Sequence, residues 1–313
     1  MSDQWNYGEF GEISAAQLMS QECDRPDYLI EPIIQRRGEI ALVGASDAGK
    51  TAFLRQLVIA VCCGASTFLG FKLRAVHRRA IYVSTEDDEQ SVAFLLWRQN
   101  QTLRLPPEHL AGLEYIFDTD KLVERLDRLL TKKPADVVVI DAFADIYQGA
   151  MNENNKVRGF LQEFSLLAHR HNCLIIFLHH TGKRTEDLIP SKHNAIGSQG
   201  FEAKMRLVIE LRSDQSNPSA KHLCIVKGNY LPPELKRESF VLHFNENMVF
   251  EDTGRRVPFE LLKRRADDEE REKSKYEQAK ALRDGGETLE SIARQMGYKS
   301  KTSVINLFRK FSE

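Results

Sequence analysis

The stretch Val43-Gly-Ala-Ser-Asp-Ala-Gly-Lys-Thr-Ala-Phe53, "VGASDAGKTAF", decides the fold. Gly44 to Thr51 fits G-x-x-x-x-G-K-[ST], with the apolar run "EIALV" before it and a helical pattern from Thr51 after it, the context a phosphate loop requires. Backbone N–H groups and a helix amino terminus cradle phosphates in such a loop. The expected nucleotide-binding residues are therefore Gly44, Ala45, Ser46, Asp47, Ala48, Gly49, Lys50, Thr51 and Ala52. Lys50 is expected to neutralise the β- and γ-phosphates of ATP, and the Thr51 hydroxyl to bind Mg²⁺. The odd residue is Asp47, an anion inside an anion site. Asp and Asn are the non-glycine residues that best tolerate left-handed backbone, so turn geometry accounts for Asp47, and its charge weakens nucleotide binding unless it points outward or meets a cation.

Outward from the loop, apolar runs alternate with helical patterns from Glu39 to about Val226: "EIALV", "AIYVS", "DVVVID" and "CLIIFLHH", with helices from Thr51, from Asp88 and near Val157 to His171. Runs apolar on both faces and separated by helices imply an α/β fold with a mostly parallel sheet. "SFVLHF" and "MVFE" read as hairpin strands at a sheet edge, which closes the core near Glu251.

Carboxylates stand at the ends of these strands, where open α/β sheets bind ligands. Asp141 closes "DVVVID" and is expected to hold the Mg²⁺ shell. Glu86, Asp87 and Asp88 follow "YVS"; Glu86 is the candidate for polarising the attacking water, whereas Asp87 and Asp88 fit a helix cap better. His179 and His180 end "CLIIFLHH" and, as neighbours in a strand, point to opposite faces. They make a poor metal pair; His180 is the candidate for sensing the γ-phosphate and the other reads as a core histidine.

Lysine plus arginine number 44 and aspartate plus glutamate 45, so no global basic field draws in nucleic acid and any such contact is local. Five cysteines, an odd number with Cys62 and Cys63 adjacent in an apolar run, suggest a reducing compartment. With no membrane-length apolar run and no leader-like amino terminus, the expectation is a cytoplasmic protein. The expected organisation is an extension over 1–24, an ATPase core over 25–251, a charged linker over 252–275 and a small all-α module over 276–313. In that module "TLESIARQMGYKSKTSVINLF" reads as two helices about a turn at Gly297, similar to a helix-turn-helix. Lys299, Lys301, Arg309 and Lys310 lie on or beside its last helix; docking of a protein is the competing use of such a unit.

Six blocks, in order, resemble the RecA-type ATPases and within them the RepA-like hexameric helicase branch. They are the entry "RPDYLIEPIIQRRGEIALVGASDAGKT", the glutamate strand "YVSTEDD", the Walker B segment "VVVIDAFADIYQGAMNENN", the histidine pair "IIFLHHTGK", "AIGSQGFEAKMRLVIEL" and "KGNYL". The resemblance implies catalytic roles for Lys50, Glu86, Asp141 and His180. It also implies that Arg206 and Lys227 serve a neighbouring subunit's nucleotide in a homo-oligomer, a hexamer. It turns the segments 147–158 and 183–197 toward a central DNA path, the second carrying Lys183, Arg184, Lys192 and His193, with the module 287–311 as a further DNA contact. The activity it implies is ATP-driven DNA translocation by a helicase of a plasmid, phage or mobile element. The alternative is an ATP-gated DNA-binding regulator or recombination factor that unwinds nothing.

Overall fold

A computed structural model describes residues 9, 11–20, 25–182, 185–194, 199–263, 266–298 and 300–311. The chain divides into two compact units, Met1–Gly182 with Ser191–Val257, and Lys183–Pro190 with Pro258–Glu313.

In the first unit a short helix α1 (Ala15–Met19), capped by Ser14, precedes β1 (Tyr28–Glu31), β2 (Ile34–Gln35) and β3 (Gly38–Gly44). Then come α2 (Lys50–Cys62), β4 (Thr67–Phe68), β5 (Phe71–Leu73), β6 (Ala80–Ser84), α3 (Glu89–Leu103), β7 (Leu113–Ile116), α4 (Leu122–Lys132) and β8 (Val137–Asp141). The unit continues through α5 (Phe143–Ile146), α6 (Asn154–His171), β9 (Leu174–His180), α7 (Gln199–Lys204), β10 (Leu207–Ser213), β11 (Ala220–Gly228), β12 (Glu238–Phe244) and β13 (Phe250–Pro258).

Nine strands form one sheet in the order β13-β12-β11-β10-β3-β9-β8-β6-β7. From β10 to β7 all pairs are parallel, while β10–β11 and β11–β12 are antiparallel. Successive strand residues face opposite sides, and each side has its own core. On one, Leu42, Tyr82, Val139 and Ile176 pack with Phe53, Leu54 and Leu57 of α2. On the other, Val43, Val83, Ile140 and Phe177 pack with Leu126 and Leu130 of α4 and Leu161 and Phe164 of α6. Cover on both faces is why these strands read as unbroken apolar runs.

Three features depart from the sequence reading. A second sheet, β2-β1-β5-β4, all antiparallel, was not anticipated; strands of two to four residues are too short to show a period. It is tied in by buried Asp136, which accepts from Arg36 at 3.1 Å and from the backbone of Val76 and His77 at 2.8 and 2.9 Å. The last strand of the large sheet runs past Glu251 to Pro258. And of the expected loop 147–158, residues 154–158 form the first turns of α6.

The second unit contains α8 (Ala266–Asp284), α9 (Leu289–Gln295) and α10 (Lys301–Phe311). Ala279, Ile292, Ala293, Val304 and Leu307 form its core, with Tyr276 and Phe308 packed against it. Thr288 caps α9 by accepting from the Ser291 N–H, and Gly297, at φ 73°, turns the chain between α9 and α10. Thr302, Asn306, Arg309 and Lys310 stand exposed on α10. Among the described residues, no helix is long and apolar enough to cross a membrane.

Candidate functional site

β3, buried at all seven residues, delivers the chain to the loop. At Gly44 a Cβ would lie 2.3 Å from the carbonyl oxygen of Leu211, so only glycine lets β3 end there. Gly49, at φ 93°, starts α2 with Lys50 as its first residue. Asp47 adopts φ 64° and is exposed. The opening residue thus takes the left-handed turn, with its charge toward solvent.

Lys50 is only 5 % exposed; its ammonium donates to Ala45 O at 2.7 Å and stands 3.4 Å from His180 Nδ1. His180 Nε2 in turn lies 3.4 Å from Glu86 Oε1. An ammonium has no lone pair, so Nδ1 faces it as the acceptor and the ring proton belongs on Nε2, toward Glu86. His180 therefore couples the phosphate-binding lysine to the carboxylate at the end of β6. His179 points the other way, buried, with its ring 4.8 Å from that of Phe201. Asp88 caps α3 by accepting from the Ser91 N–H at 2.8 Å, and that bond holds its carboxyl below the usual range.

Asp141 is buried beneath the loop. One oxygen accepts from the Tyr82 hydroxyl at 2.6 Å; the other, Oδ1, is buried without a hydrogen-bond partner. Burial pushes the Asp141 carboxyl up, the bonds from Tyr82 and Thr51 pull it down, and the charges of Glu86 and Asp87 push it up again. An unsatisfied carboxylate oxygen on an aspartate that also bonds the Thr51 side chain fits a Mg²⁺ ion carried in with a nucleotide. Thr51 and, through water, Asp141 would hold it, and its charge would offset that of the phosphates. Among the described residues no group of three or more His, Cys, Asp or Glu could hold a metal by itself. Lys50, Thr51, Glu86, His180 and Asp47 line one cleft of about 560 Å³.

Sequence reading missed Arg55, which lines the same cleft. It is 2 % exposed, donates from Nε to Gln99 Oε1 at 2.8 Å, and has no hydrogen-bond partner at Nη2. Its only signal is a lone charge inside the apolar run of α2.

Arg206 and Lys227 stand at the other edge of the sheet. Leu207 pairs with Ile40 and Lys227 with Val208, so both cations lie level with the start of β3 while the phosphate loop leaves its end. That separates them from their own loop by roughly 17 Å, about five residues at strand rise. Arg206 lies across Gly38, where a Cβ would meet its Cδ at 3.0 Å, and Lys227 pairs with Glu202 at 2.9 Å. Of the expected central segment, Lys192 is 4.0 Å from Glu202 and His193 is exposed. Lys183, Arg184 and Gly197, like Lys299 of the second unit and Cys23, lie outside the described residues.

A glycine-bounded loop between a parallel strand and a helix, a lysine at its end, and a buried aspartate under the helix's threonine define a P-loop ATPase on a RecA-like sheet. The chain belongs to the AAA domain family (AAA_25), which matches residues 9–186. It is similar to a solved structure of the ATPase domain of a helicase, with a TM-score of 0.57 and 12 % identity over 76 % of this chain and 95 % of that one. It is also similar to "Crystal structure of the RadB recombinase", with a TM-score of 0.49 and 15 % identity over 69 % and 90 %. The first likeness bears out the RecA-like fold. No curated protein matches.

Proposed function

We propose that the protein is an ATP-driven DNA translocase of the RepA-like ring helicase type, working as a homo-oligomer. The observation that carries this reading is the convergence of Lys50, Thr51, Glu86, Asp141 and His180 on one side of the sheet with Arg206 and Lys227 on the other. Lys50 and the loop amides hold the triphosphate, Glu86 polarises the attacking water, and His180 links Glu86 to Lys50. Arg206 and Lys227 stabilise charge on a neighbour's transferred phosphoryl group, since neither reaches its own. Lys227 must first leave Glu202. Segments 147–158 and 183–197 face DNA in the ring, and the α9–α10 pair is a helix-turn-helix whose exposed Thr302, Asn306 and Arg309 meet duplex.

The test is ATP hydrolysis and strand displacement on forked DNA. Wild type is expected to do both, Lys50→Ala neither, and Glu86→Gln to bind ATP yet turn it over poorly. Hydrolysis without strand displacement would replace the helicase reading by the ATP-gated regulator.

A further inference from the structure

Asp47 and Arg37 flank β3 at opposite ends, and neither side chain makes a hydrogen bond or ion pair among the described residues. Their surroundings are opposite in sign. Asp47 shares the rim of the nucleotide cleft with Glu86 and Asp87, while Lys50, the nearby cation, is buried and committed to Ala45 O. Bound triphosphate makes that face more negative still. At the other edge Arg37, Lys204, Arg206 and His169 line a cleft of about 270 Å³ whose one carboxylate, Glu39, is buried and accepts from Ser165. Lys204 bonds only neutral partners, Gln162 and Ser165. Three permanent cations thus face solvent against a single screened acid.

Oppositely charged faces at the two ends of one sheet suit a head-to-tail contact between copies, and suppress contacts between like faces. We infer that Asp47 is the docking anion of the phosphate-loop face, and that the Arg37–Lys204 cleft of a second copy receives its carboxylate. This rests on the assembly proposed above and adds to it a pairing that involves neither Arg206 nor Lys227. It also gives the loop anion a use: a glycine there would serve the turn equally well but leave nothing for the cleft to hold.

The experiment is sedimentation of the full chain with Mg²⁺ and a non-hydrolysable ATP analogue. Asp47→Arg and Arg37→Asp are each expected to weaken association about tenfold or more, and the chain carrying both reversals to recover to within about threefold of wild type. Thermal melts report whether each variant folds; Asp47→Asn and Arg37→Gln, which only neutralise, are expected to weaken association about threefold and stand in for a reversal that does not fold. A double reversal no better than the singles, or singles that assemble like wild type, overturns the pairing. So does an Arg37→Asp chain that assembles normally but loses affinity for a single-stranded oligonucleotide, which would make the cleft a nucleic-acid site. A wild type that stays monomeric removes the assembly reading itself, and this inference with it.

Discussion

At the residue scale the site is a balance of buried charges. Asp141 is the clearest case, because folding removes its carboxylate from water and burial raises its pKa above the ordinary value. A carboxylate shifted upward costs stability at any pH above its unfolded pKa, and the cost fades as pH falls into the carboxylate range. Asp141→Asn, which keeps an acceptor for Tyr82, should therefore be more stable than wild type at neutral pH without Mg²⁺ and nucleotide, by on the order of 1 kcal/mol. The gap should close on acidification; melts in chelator across pH check it. Asp47 carries a different expectation. Asp47→Gly retains the left-handed turn and removes a like charge from an anion site, so titration should show tighter nucleotide binding by isolated protomers. Unchanged affinity would mean that solvent fully screens the exposed carboxylate.

Among the elements, the β12–β13 hairpin shows where sequence reading stops. β3, β6, β8 and β9 were legible because cover on both faces leaves an apolar run, and Glu86, Asp141 and His180 because they end such runs. The hairpin was legible as strands but not in its placement over the site. Gln56 of α2 sets that placement: its side-chain amide donates to Phe250 O at 2.9 Å and accepts from Phe250 N at 2.7 Å, across 194 positions of sequence. Gln99 of α3 adds bonds to Ala52 O and Met248 O. A glutamine inside a helix announces no partner, so no local pattern reveals either clamp, and Arg55, held by Gln99, was hidden with them. Gln56→Ala leaves two buried peptide groups without partners and should cost about 2–4 kcal/mol. Urea unfolding should show a lower midpoint at unchanged slope, and nucleotide affinity should fall as well, because Phe244 and Met248 of the hairpin line the cleft.

For the whole molecule, the decisive fact is that Arg206 and the phosphate loop occupy opposite edges of one sheet. Under the proposed function an Arg206→Ala chain lacks only what it gives to its neighbour, and a Lys50→Ala chain only what it does for itself. Each should be nearly inactive alone, while a mixture should regain ATPase activity at interfaces that pair an intact loop with an intact arginine. Subunit exchange seen by light scattering without recovered turnover would defeat the trans-acting role. β3 joins these two duties physically, since Gly38, over which Arg206 lies, and Gly44, where the loop begins, are its first and last residues. Lesions in this single strand would accordingly sort into two genetic classes, donor-defective at its start and receiver-defective at its end. Alleles from different classes would complement within one gene, and alleles from the same class would not.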